Sequence, residues 1–294
     1  MGFDVNGVRF LLDASKAGVV FGTCAMLGRQ EMHITTTQLD QVFRMFSIDL
    51  GKTGAEKILI NDGAAGYSES FLKCCGAKEV VSFDNSDYEG ATFVHDMNRD
   101  IPFAYHAQFD CVIDSGTLEH VFNIPVALRN CMKMVKSGGH FLSVAPCNNF
   151  MGHGFYQFSP EIFYGVFSER NGFTVERMFI FESRPNAQWY RVADPSKIGG
   201  RVELANSMMT YLLVQARRIR EIDLCDITPQ QSDYVPIWED KIPSSTKRDH
   251  SDLRVNTFTA LKGNLKRRVK GTMRHLPVES VRTPFKKPWY EPYE

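Results

Sequence analysis

Phe109-Asp110-Cys111-Val112-Ile113-Asp114, continued by Ser115-Gly116-Thr117-Leu118-Glu119-His120-Val121, is the stretch that decides the fold. An apolar run that stops on an acid has the length and composition of a strand buried in a sheet. The pattern recurs upstream: Val80-Val81-Ser82-Phe83 stops at Asp84, and Phe93-Val94-His95 stops at Asp96. Lys57-Ile58-Leu59-Ile60 reads as the first strand of the series, leading into the turn Asn61-Asp62-Gly63-Ala64-Ala65-Gly66. Helices separate these runs. One from Ser68 to Cys75 stops at Gly76, a residue suited to a helix C-terminus.

Downstream, Leu128, Cys131, Met132 and Val135 form a helical stripe behind Pro125, closed by Lys136-Ser137-Gly138-Gly139. His140 to Val144 is a fifth strand. A helix capped at Ser159 carries Ile162, Phe163, Val166 and Phe167, and strands at Phe173 to Ile180 and Met209 to Ala216 complete the set. This alternation predicts a Rossmann-like α/β fold, with a mainly parallel seven-stranded sheet and helices on both faces.

That domain is expected over 55–220. Residues 1–54 precede it as a covering segment. They hold a helix-like start at Val8, Leu11 and Leu12, then a helix with Thr35 and Gln38 at capping-box spacing, ended by Gly51-Lys52-Thr53-Gly54. Residues 221–294 form a C-terminal extension. It contains a basic amphipathic stretch over 261–275 and, from 277, an extended tail with four prolines in its last eighteen residues.

Lys plus Arg equals Asp plus Glu at 34 each, which argues against a whole-protein nucleic-acid binder. The basic stretch is the place for any weak membrane-surface contact. The seven cysteines show no Cys-x-x-Cys spacing, so they read as free thiols in a reducing compartment, and no metal centre is expected. Asp4, Arg9 and Asp13 interrupt any signal-peptide core, and no apolar run approaches the ~20 residues that span a bilayer. A cytoplasmic location is expected.

In open parallel sheets, ligands bind beyond the carboxyl ends of the strands. A small-residue turn there lets the backbone approach a ligand, and a helix N-terminus can meet its carboxylate. A carboxylate ending the second strand can accept both hydroxyls of a ribose, and one ending the third can reach an adenine amine. A nicotinamide dehydrogenase on the same fold would want G-x-G-x-x-G after the first strand, which the 61–66 turn does not provide.

Taken in order, the segments 58–68, 80–84, 93–98, 109–121 and the turn at 134–139 resemble the class I S-adenosylmethionine-dependent methyltransferases. The resemblance implies S-adenosyl-L-methionine as cofactor. Asp62, Gly63, Ala64 and Gly66 would lie around its methionyl part, Asp84 and Asn85 at the ribose, Asp96 and Met97 near the adenine, and Asp114 and Ser115 at the end of the fourth strand. One departure stands out. The family's first turn usually reads acid-x-Gly-x-Gly-x-Gly, whereas here Ile60 falls at the acidic position. A second reading follows, that of a catalytically silent methyltransferase-like binding or regulatory protein.

Methyl transfer needs alignment more than a fixed catalytic motif. The loop Pro146 to Phe158 concentrates polar and aromatic groups at the ligand end of the sheet. His153 and His120 are its catalytic candidates, and Asn149, Tyr156, Gln157 and, from the first zone, Arg29 are the candidate substrate contacts. The Gly28-Arg29-Gln30 segment and the run from Asn148 to Glu161 resemble methyltransferase-domain proteins of bacterial surface-polysaccharide loci, which implies a small-molecule or glycan acceptor.

Overall fold

A computed structural model describes residues 2–60, 66–198, 200–222, 228–235, 238 and 290–293. Along the chain these form β1 (Gly2–Phe3), α1 (Val5–Lys16), β2 (Gly22–Leu27), β3 (Glu31–Met32), α2 (Thr36–Met45), α3 (Gly51–Ile60), α4 (Glu69–Cys74), β4 (Ala77–Asp84) and β5 (Phe93–Val94). Then come β6 (Phe109–Ser115), α5 (Ile124–Met134), β7 (Val135–Asn148), α6 (Pro160–Val166), β8 (Phe173–Glu182), β9 (Trp189–Val192), α7 (Pro195–Ile198), β10 (Thr210–Arg218) and β11 (Tyr290–Tyr293).

The main sheet has nine strands in the order β11-β9-β8-β10-β7-β6-β2-β4-β5, and β1 pairs with β3 in a separate two-stranded sheet. From β5 to β7 the pairings are parallel. β10 then runs against both β7 and β8, and β9 and β11 continue antiparallel to the edge. The expected doubly covered α/β sheet is present, with nine strands rather than seven and an antiparallel half beside the parallel one.

Strand alternation divides the core in two. Cys24 and Met26 of β2 face a cluster with α1, α2 and α3, anchored by Phe10, Phe43 and Phe71. Ala25 and Leu27 face the other cluster, with α5, α6, Phe141 and Phe163. There Phe141 stacks on Phe167 at 4.6 Å, a contact worth ~0.5–1.5 kcal/mol beyond the area it buries.

The helix starts follow their caps. Asp4 Oδ1 accepts from Gly7 N at 2.8 Å, and Thr35 with Gln38 makes the expected reciprocal capping box. Pro125 sits in the first turn of α5, and Gly76 closes α4 at φ +104°.

Four expectations are corrected. Lys57–Ile60 is the last turn of α3, with Ala55 and Ile58 buried and Ile60 exposed; it is not a strand. Gly51 to Gly54 opens that helix and does not end the one before it. The division at residue 54 fails because residues 1–54 supply β2, the strand at which the sheet order turns. Within the expected tail, Tyr290–Tyr293 is an edge strand paired with β9. The basic stretch over 261–275 lies outside the described residues. No described helix is long and apolar enough to cross a membrane.

Candidate active site

The strand order turns at β2, with β4 and β5 on one side and β6 and β7 on the other. A crevice opens at such a switch point, beyond the carboxyl ends of the flanking strands. Here those ends are Leu27, Asp84 and Ser115. They are tied to one another: Gly28 N donates to Phe83 O at 2.8 Å, and Thr117 Oγ1 donates to Leu27 O at 2.7 Å. The turn following the central strand is therefore Gly28-Arg29-Gln30. Gly28 has φ +69°, the left-handed region that glycine enters without strain.

Asp62, Gly63 and Ala64 lie outside the described residues. Gly66 follows helix α3, and its carbonyl accepts from Met32 N at 2.6 Å, beside β3.

Asp84 ends β4 half-buried, and its Oδ1 accepts from Asn85 N at 2.6 Å, with Asn85 exposed. Asp96 follows β5; hydrogen bonds from the Asn98 side chain and backbone hold its carboxyl below the usual range. Met97 is corrected: its side chain packs into the core with Val81 and Phe83. Asp114 is corrected as well. It is wholly buried, with Oδ1 accepting from Thr117 N and Leu118 N (3.1 Å each) and Oδ2 from Ser143 Oγ (2.8 Å). Its side chain ties β6 to the turn after it, so it is not open to a cofactor. Burial pushes its carboxyl up despite these bonds.

Ser115 donates from Oγ to Gly2 O at 2.9 Å. It lines a cleft of about 240 Å³ together with His33, Glu119, Val144, His153 and Tyr211. Of the two histidines nominated from sequence, His153 lines this cleft and His120 lies beside it, with ring centroids 5.3 Å apart. His120 stands on a short 3-10 turn, Leu118–His120, and burial followed by the neighbouring His153 lowers its pKa. His153 Nε2 lies 3.5 Å from Glu119 Oε1.

Glu119 is the residue that sequence reasoning missed. It is 1% exposed, and among the described residues neither carboxylate oxygen has a hydrogen-bond partner. Burial first, then nearby Asp114, pushes its carboxyl well above the usual range. The Leu-Glu-His order is the one signal in the sequence, and it carries nothing that sets the burial of its glutamate. Gly154 buries it by passing over its backbone, where Phe155 N and Tyr156 N donate to Glu119 O at 2.8 and 3.3 Å.

The proposed substrate contacts hold the protein together instead. Asn149 Nδ2 donates to Asn206 Oδ1 and O and to Met208 O. Gln157 Oε1 accepts from Phe150 N at 2.7 Å, and Tyr156 Oη donates to Phe122 O at 2.6 Å. Arg29 is neutralised by Glu69 at 2.6 Å, donates to Glu89 O, and lies over the Tyr67 ring at 4.1 Å. Each of the four gives at least one polar atom to a protein partner, which fixes the loop and the turn.

Residues 61–143 match the family described as a methyltransferase domain. The match starts beyond β2 and so leaves out the central strand. No curated protein matches the chain. Among solved structures, similarity reaches a SAM-dependent methyltransferase of Thermotoga maritima at 13% identity, covering 72% of this chain and 89% of that one, with a TM-score of 0.34. A 1,6-didemethyltoxoflavin-N1-methyltransferase of Burkholderia thailandensis, with bound 1,6-didemethyltoxoflavin and S-adenosylhomocysteine, is 11% identical, covering 74% and 78%, with a TM-score of 0.39. A Rhodobacter sphaeroides protein described as a Zn-dependent alcohol dehydrogenase gives 13%, 71% and 89%, with a TM-score of 0.37. At such scores these likenesses carry no weight for activity.

Proposed function

We propose, from the methyltransferase-domain stretch over 61–143, that the protein is an S-adenosylmethionine-dependent methyltransferase whose acceptor is a small molecule, sugars and glycan intermediates included. The observation that carries this reading is the acid at the end of β4. Asp84 Oδ1 takes the Asn85 amide, and among the described residues no other hydrogen bond to the side chain is made. Its second oxygen is thus left for a ribose hydroxyl beside the switch point at β2. The backbone of the Gly28 turn is the surface against which the methionyl part would lie, and Asp96 would meet the adenine amine.

The chemistry is an in-line displacement. The acceptor heteroatom forms a bond to the methyl carbon, the sulfonium–methyl bond breaks, its electron pair stays on sulfur, and the acceptor's proton leaves to solvent or to a nearby base. Residues around the cleft would align the acceptor, a contribution of ~7–11 kcal/mol in well-oriented systems. The cleft of about 240 Å³ suits a small acceptor group.

Calorimetric titration with S-adenosylmethionine tests the reading. Binding is expected, and Asp84→Ala should weaken it by more than about tenfold, since hydrogen bonds to a charged group contribute ~1.5–3 kcal/mol. No binding at near-millimolar cofactor would sink the enzyme reading. It would leave the second one, a silent methyltransferase-like binding protein, which the single glycine in the turn after β2 favours.

A further inference from the structure

We propose that Glu119, His120 and His153 form a divalent metal site at the cleft, of the class that takes zinc or another first-row transition ion. Their ligand atoms all lie within 4.8 Å of one another. Two imidazoles and one carboxylate suit such ions, whereas magnesium and calcium favour oxygen donors throughout. Two ligand atoms on one ion with bonds of about 2.1 Å are at most about 4.2 Å apart, so a small inward shift closes the site. His120 and His153 are exposed and free to make it.

The second, independent observation is the state of Glu119. Its carboxylate is buried against the cleft, and among the described residues neither oxygen accepts a hydrogen bond. Burying such a group without a hydrogen bond is costly, and His153 Nε2, at 3.5 Å from Oε1, makes only a long contact with it. A cation between Glu119 and the two histidines supplies what is missing. The backbone also holds these ligands ready. Phe155 N and Tyr156 N strap the His153 loop onto Glu119 O, and Gly154 leaves no side chain between them.

Three protein ligands leave coordination positions open toward Ser115 and His33 on the cleft wall. An acceptor hydroxyl bound there would lose its proton to solvent more readily. Its oxygen would then form the bond to the methyl carbon as the sulfonium–methyl bond breaks and its electron pair returns to sulfur. This role rests on the proposed methyl transfer; the metal site itself does not.

The test uses the full chain, stripped with a chelator and dialysed, then titrated with Zn2+ by calorimetry and with Co2+ by visible absorption. One equivalent is expected, with Co2+ bands of a low-symmetry site of four or five ligands. His153→Ala, in an exposed loop, and the near-isosteric Glu119→Gln should each weaken uptake by about a hundredfold with unchanged far-ultraviolet circular dichroism. The absence of stoichiometric uptake, or equal uptake by wild type and His153→Ala, would overturn the proposal. Metal uptake without S-adenosylmethionine binding would instead refute the methyltransferase reading and leave the site standing.

Discussion

Gly154→Ala tests the packing that makes the cleft. A Cβ at this position would lie 2.8 Å from Glu119 O and 3.1 Å from Glu119 Cγ, where ordinary contact starts at 3.4 Å. Something must give by about 0.6 Å. The carbonyl is poorly placed to do so, because it accepts from Phe155 N at 2.8 Å and Tyr156 N at 3.3 Å. Gly154 has no positive φ, so alanine brings no backbone strain of its own and the contact alone is measured. Overpacking of this kind costs ~1–3 kcal/mol. A value of about 2 kcal/mol lowers Tm by roughly 4–8 °C in a domain this size. The assay is thermal unfolding followed by circular dichroism, with Co2+ absorption as a second readout, since displacing Glu119 loosens the proposed ligand set. A variant with the Tm and the Co2+ spectrum of wild type would refute the reasoning. The loop from 150 to 158 would then not rest on the Leu118–His120 turn as described.

Asp114 gives a pH prediction. Its carboxyl is raised above its unfolded value by burial, so the folded state holds the proton more tightly. The stability this contributes is fully present below about pH 4 and is lost as pH rises through the raised value toward neutrality. Asp114→Asn keeps an acceptor for Thr117 N and Leu118 N and should flatten the fall of the urea midpoint between about pH 4 and pH 7; an unchanged slope would count against it. Phe141→Ala removes a fully buried ring stacked on Phe167 and should cost ~3–5 kcal/mol, read as a shifted urea midpoint at constant m-value. Tyr293→Ala loses a hydroxyl bond to Asp13 at 3.0 Å and the stacking on Trp189 at 6.2 Å, so Tm should fall by roughly 3–6 °C if β11 closes the sheet edge.

What could be read from sequence was whatever is decided locally. β4 and β6 are apolar runs stopped by acids. α2 announces itself through the Thr35 and Gln38 capping box, and α5 through Pro125 and its stripe. β2 was hidden because Gly-Thr-Cys-Ala-Met-Leu has neither alternation nor β-branched residues beyond one threonine. A strand paired on both edges and buried on both faces does not need them. Lys57–Ile60 misled for the opposite reason: an apolar run with two β-branched residues out of three suggests a strand, yet Ala55 and Ile58 place the segment on a helix face. At the site, His120 and His153 were visible as residue types. The burial of Glu119 was not, because it depends on Gly154 arriving from a loop that follows β7.

The central position of β2 also governs how the protein acquires its structure. Gly22–Leu27 is synthesised before either neighbour, and it pairs with residues 77–84 on one edge and 109–115 on the other. Until both arrive, six mostly apolar residues present two open backbone edges to whatever else is nearby. Pairings at such sequence distances must meet their loop-closure entropy before any contact rewards it, which places folding in the slow, nonlocal regime. The strand that organises the binding crevice is thus also the one most exposed to mispairing during synthesis, and crowded expression at high temperature is where that vulnerability would be felt first.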